Sequence, residues 1–225
     1  MDSPLQRELI DTRGPATVDA RGPIIDLSFP HLWQAEVLPT RRAILPARHF
    51  VYPRDVDEVE RGALEVLVSP VGAPGLAFET WEAKTPSPPR PDTQPFLATC
   101  ALGFRDPAVP TGLWSAPNPE ELCAVSGGYA YIIDTTVPER FTMIPYRPVL
   151  EVRPASAEGL LLFVGHRSIL AWGRAGQTWE SEKLSDEGVT IVGIEAGQLR
   201  GLGWNMSTGN ETPFTLDLRT GLRDR

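Results

Sequence analysis

The chain has 225 residues, 41% of them hydrophobic and 22% charged, a balance that suits one large globular domain or one domain with an extension. Its net charge of −8 argues against a phosphate-binding face, because nucleic-acid affinity rests on neutralising phosphates with Lys and Arg. A mean hydropathy of −0.16 without any long apolar run argues against a membrane-spanning helix. The start, MDSPLQRELIDTRG, lacks the basic-then-apolar pattern of a secretory signal, so the expected location is the cytoplasm.

Residues 1–58 read as an irregular extended N-terminal segment packed on a core built later in the chain. Prolines at 15, 23, 30, 39, 46 and 53 keep interrupting short apolar pieces such as Pro23-Ile24-Ile25-Asp26-Leu27. A short helix is expected over Arg54 to Arg61, capped by Asp55 or Asp57. Residues 59–225 read as an all-β domain. Its first strands are predicted at Gly62 to Pro70 and at Leu76 to Ala83, followed by a Pro-rich loop over residues 85–95, TPSPPRPDTQP.

From Phe96 onward the pattern is regular. Strands are predicted at Phe96 to Phe104, Leu122 to Val125, Tyr129 to Asp134, Phe141 to Ile144, Val149 to Val152 and Leu160 to Val164. They continue at Ser168 to Trp172, Gln177 to Leu184, Val189 to Ile194, Gln198 to Trp204 and Pro213 to Leu218. Short turn signals such as Ser126-Gly127-Gly128 and Gly173-Arg174-Ala175-Gly176 separate them. Apolar and polar residues alternate strictly over Phe214 to Leu218, the mark of a strand with one buried face. Leu160 to Val164 is continuously apolar and is expected to be covered on both faces. No segment after residue 62 keeps a period of 3.6 over three turns. The fold class is all-β, an antiparallel meander of blade-like, propeller-like sheets, with a β-sandwich as the alternative.

FTLDLRTG (Phe214 to Gly221) resembles the LDxxTG end of outer strands in quinoprotein-type β-propeller blades, and GLLLFVG (Gly159 to Gly165) resembles the glycine-bounded inner strand of such a blade. The resemblance covers the last third of the chain and implies a propeller-like arrangement. The tryptophan expected a few residues after the TG is absent, and LDxxTG does not recur upstream at a fixed period. Neither a quinone cofactor nor a catalytic residue carries over from the family, and no cofactor is expected.

The two cysteines, Cys100 and Cys123, sit in apolar surroundings and read as small core hydrophobes rather than a disulfide. The three histidines, His31, His49 and His166, show no ligand spacing, so no metal is expected. Val125-Ser126-Gly127-Gly128 is not a nucleophile elbow, and the chain has no phosphate-binding glycine motif. Paired carboxylates such as Glu120-Glu121 and Asp186-Glu187 read as solvated turns. Four residues stand out as ligand- or partner-binding candidates: His166 and Arg167 at an expected hairpin tip, Trp114 in a Pro/Gly-rich loop, and Asp134 at a strand end. The leading reading is a non-enzymatic protein-binding module whose acidic surface suits a basic partner. The alternative is a small-molecule hydrolase or lyase with its site at a sheet rim, using His166, Arg167 and Asp134.

Overall fold

A computed structural model describes residues 22–40, 45–54, 62–70 and 94–224. Among the described residues there are sixteen strands and no helix. Sheet I has the order β2 (Trp33–Leu38), β4 (Ala63–Pro70), β5 (Phe96–Ala101) and β3 (His49–Tyr52). Sheet II runs β1 (Ile24–Asp26), β6 (Gly112–Ser115), β7 (Glu121–Ser126), β8 (Tyr129–Asp134) and β9 (Phe141–Met143). Sheet III is the meander β10 (Glu151–Ala155), β11 (Leu160–Val164), β12 (Ile169–Gly173) and β13 (Gly176–Glu180). Sheet IV is β14 (Val189–Glu195), β15 (Gln198–Asn205) and β16 (Asn210–Asp217).

The sheets stack face to face, and side-chain alternation along their strands explains why. In β7, Leu122 and Ala124 enter the core shared with sheet I, while Cys123 and Val125 enter the core shared with sheet III. Strand β8 does the same with Tyr131 and Ile133 on one side and Ala130 and Ile132 on the other. In β11, Leu161 and Phe163 face sheet II, whereas Leu160, Leu162 and Val164 face sheet IV. A strand buried on both faces has no place for a polar residue, so the unbroken apolar run of β11 is what this position requires. Each buried large side chain removes apolar area worth about 1.5–3 kcal/mol. Sheet IV meets sheet III on one face only, and its strands accordingly alternate: Phe214 and Leu216 are buried while Pro213 is exposed.

The all-β class and most of the strands after residue 96 match the sequence reading. Four sheets over three cores replace the two layers of a sandwich, and among the described residues no core joins sheet IV back to sheet I. The expectation of a purely antiparallel meander is corrected at two places, because β1 pairs parallel to β6 and β3 parallel to β5. Both strands come from the first 58 residues, where no hairpin ties them to their neighbour and direction is free. A third strand from that stretch, β2, pairs antiparallel with β4. Those pieces therefore enter the sheets themselves. Trp114 is corrected from a loop to strand β6, where it faces Cys123 of β7 across the ladder and Asp26 of β1 on the other side. The strand expected over Leu76 to Ala83, the Pro-rich stretch as far as Thr93 and the helix expected beyond Arg54 lie outside the described residues.

Candidate binding cleft

The first strands of sheets II and III, β1 and β10, are both sheet edges, and an open cleft of about 1250 Å³ lies between them. Ile24 and Asp26 line it from β1, Glu151 and Arg153 from β10, and Phe104 and Arg105 from the connection between β5 and β6. Each wall has a local cause. Strand β1 reaches β6 only because residue 112 is glycine: a Cβ there would lie 2.0 Å from the Ile24 carbonyl oxygen. The β5–β6 connection is clamped to the β7–β8 turn, with Gly103 N–H donating to Ser126 O at 3.0 Å and Phe104 N–H to Gly127 O at 2.8 Å. The Phe104 ring then sits edge-on to Tyr129, with 5.9 Å between centroids. Asp106 turns the chain by accepting the Ala108 N–H at 2.8 Å, and Pro107 and Pro110 stiffen the loop. Within β10 the Arg153 guanidinium is taken up by Glu151, with Nε 2.8 Å from Oε1.

Of the four residues singled out from the sequence, Trp114 lines this cleft, but only 2% of it is exposed and it packs in the core between sheets II and III. His166 and Arg167 are exposed at the β11–β12 tip, as expected for that turn. Their carbonyls have a structural use, accepting Gly188 N–H at 2.8 Å and Leu184 N–H at 2.7 Å, which docks the tip on the segment leading into β14. Asp134 closes β8: its Oδ1 accepts from Thr136 N at 2.9 Å, Thr136 Oγ1 at 2.7 Å and Val137 N at 3.0 Å. Among the described residues no hydrogen bond or ion pair joins His166 to Asp134.

A polar row in sheet I has no counterpart in the sequence reading. His49 Nε2 lies 2.8 Å from Thr99 Oγ1, which donates to Glu65 Oε2 at 2.7 Å. The single hydroxyl proton of Thr99 is thus committed to the carboxylate, so the hydroxyl accepts from the imidazole N–H. That polarity is the reverse of a histidine base activating a nucleophile. The three residues become neighbours because β3 and β4 flank β5 in register, Val51 and Glu65 both lying opposite Thr99. Residue spacings of 16 and 34 carry no local signal for such a row.

Burial shifts the proton affinities of two cysteines and a tyrosine. Desolvation raises the thiol pKa of Cys100 and of Cys123, so both stay protonated and unreactive in the core. Burial likewise raises the Tyr146 phenol, which donates to Glu180 Oε1 at 2.9 Å and lies 2.8 Å from Ser168 Oγ. Among the described residues no group of three or more His, Cys, Asp or Glu side chains is arranged to hold a metal ion. No described helix is long and apolar enough to cross a membrane.

The fold and cleft define an all-β protein of four stacked small sheets. Comparison with protein-family models, with characterised proteins and with solved structures found no match for the chain.

Proposed function

We propose that the protein is a non-enzymatic protein-binding module, and that its partner docks in the cleft between β1 and β10. One observation carries this reading. Large hydrophobic side chains are left in water at and beside the cleft: of its lining residues Ile24 is 47% exposed and Phe104 40%, and Ile25 and Leu27, on the segment that carries Ile24, are 54% and 46% exposed. Side chains of this size exposed together, with charged residues around them, have the composition of an interface core and its rim. The enclosing segments are also held by backbone hydrogen bonds and prolines, so little ordering entropy opposes binding. The propeller-like resemblance is compatible with this reading: sheets II, III and IV follow in chain order with a core between each successive pair.

The test is selection from a random-peptide display library on the purified chain, followed by calorimetry with the synthesised winning peptide. Phe104→Asp and Ile24→Arg each weaken binding at least tenfold on this reading, whereas Trp204→Ala on sheet IV leaves it unchanged. Failure to enrich any peptide, or binding indifferent to both cleft variants, overturns the reading.

A further inference from the structure

Resting on that reading, we infer that the cleft takes its partner as an added β-strand on β1, and that the partner segment is extended, apolar at alternate positions and basic. The free backbone groups of Ile25 are the starting point. Strand β1 pairs parallel to β6 in the register Ile24 opposite Gly112, with Ile24 N–H donating to Thr111 O at 2.9 Å. In a parallel ladder the residues bonded to a neighbour alternate, so Ile24 and Asp26 turn their N–H and C=O toward β6 and Ile25 turns both away. Among the described residues nothing pairs with either Ile25 group. An N–H and C=O set side by side on a strand edge is the template for another strand.

The far edge of sheet IV shows what a closed edge looks like in the same molecule. Strand β16 carries Pro213, which has no N–H to offer, and the Arg223 guanidinium caps the Pro213 carbonyl at 3.0 Å. Asp224 N–H donates to Thr215 O at 3.0 Å, and Arg223 bridges to Leu216. Among the described residues, strand β1 has no such covering at Ile25. Its three residues offer few main-chain bonds, so these set the register while side chains supply most of the affinity.

Those side chains follow from the cleft. Ile24 and Asp26 share one face of β1 and both line it, so alternate residues of an added strand lie over the same space. Apolar ones meet Ile24, Phe104 and Val152. The charges favour a cation: Arg153 is neutralised by Glu151 and Arg105 is already engaged, while Asp26 and Asp106 each commit Oδ1 to a backbone N–H. Among the described residues both carboxylates keep a second oxygen for a lysine or arginine, and the net charge of −8 adds long-range attraction.

The winning library peptide, once synthesised, tests this separately from the proposal that proteins bind here. Of the main-chain hydrogen-bonding groups, Ile25→Pro removes only the outward N–H and leaves the ladder bonds of Ile24 and Asp26 in place, which amide protection of Leu113 confirms. Ile25→Ala keeps the donor and trims the side chain. Strand addition predicts at least a tenfold loss for Ile25→Pro, less than threefold for Ile25→Ala, protection of the Ile25 amide from exchange in the complex, and lost binding when alternate peptide amides are N-methylated. A peptide that depends on Phe104 yet binds Ile25→Pro as well as the parent chain sinks the strand-addition inference and leaves the cleft standing. If the library yields no binder at all, both proposals fail.

Discussion

Trp172 of β12 donates its indole N–H to Glu121 Oε2 of β7 at 2.9 Å, and so ties sheet III to sheet II. The same glutamate accepts Trp33 Nε1–H from sheet I on its main-chain oxygen at 3.0 Å. One residue thus holds polar contacts with the sheets on both sides. Burial is the largest influence on its carboxyl and raises its pKa; hydrogen bonds from Trp172 and Asn118 oppose the shift, and the charge of Asp134 adds to it.

The sign of the consequence follows from linkage. A carboxyl with a raised folded pKa keeps its proton in the folded state over a range where the unfolded chain has lost it. Stability attributable to Glu121 therefore falls as pH rises through that range and stays lower above it. Glu121→Gln keeps an acceptor for Trp172 without the half-buried charge. The variant is expected to melt at a higher temperature than the parent at about pH 7, with the gain vanishing at about pH 3, where the parent carboxyl is protonated. Thermal unfolding of both proteins at the two pH values checks it.

Gly112→Ala tests how β1 is held. The added Cβ meets backbone, with Ile24 O at 2.0 Å and Ile24 N at 2.7 Å, so no side-chain rotation relieves it. Detachment of β1 is the expected result, read as fast amide exchange at Ile24 and Asp26 while β7 and β8 stay protected. Peptide binding at the cleft is lost with it, although the three cores remain.

Leu161 and Leu162 are adjacent and both fully buried, yet they belong to different cores. Leucine-to-alanine changes at such sites cost about 2–5 kcal/mol, part of it from the cavity left behind. Leu161→Ala is expected to loosen the contact between sheets II and III, and Leu162→Ala that between sheets III and IV. Exchange protection should therefore drop in β8 for the first variant and in β16 for the second. Equal loosening of both regions by either variant counts against the two-sided placement of β11.

That two-sidedness was legible because five apolar residues in a row fit a central strand and Gly-rich turns bound them. The strands of the first 58 residues were hidden for the opposite reason. Ile24 pairs with Gly112, 88 positions away, and prolines break the alternation that would mark β1, β2 and β3. The prolines around Trp114 similarly pointed to a loop, yet pairing on both sides with β1 and β7 overrode them. The cleft itself joins residues 22–26, 102–114 and 150–154, so no local window contains it. His166 and Asp134 drew attention as polar residues at strand ends, where turn formation and binding call for the same side chains.

Asp134→Ala separates those two uses. Its Oδ1 gathers three donors from Thr136 and Val137, and their loss is expected to cost about 1 kcal/mol in a partly exposed turn. Affinity for a cleft-binding peptide should be unaffected, as it should be in His166→Ala. A large loss of peptide affinity in either variant, with the fold intact, would return the β11–β12 rim to consideration.

Gly165 lies against Tyr146, and a Cβ at residue 165 would sit 2.9 Å from Cδ2 and 3.1 Å from Cγ of the ring. Because Cγ is close as well as the ring edge, Gly165→Ala moves the whole ring instead of turning it. The phenol oxygen then leaves Ser168 and Glu180, where its contacts are 2.8 and 2.9 Å. Overpacking of this kind costs about 1–3 kcal/mol, and loss of the phenol bonds alone, in Tyr146→Phe, about 1 kcal/mol. If the first change acts by displacing the ring, the two costs overlap, and Tyr146→Phe should be nearly neutral in a Gly165→Ala background. Urea unfolding of the two single variants and the double variant closes this cycle. Strict additivity would mean that Gly165→Ala is accommodated elsewhere, with Tyr146 left in place.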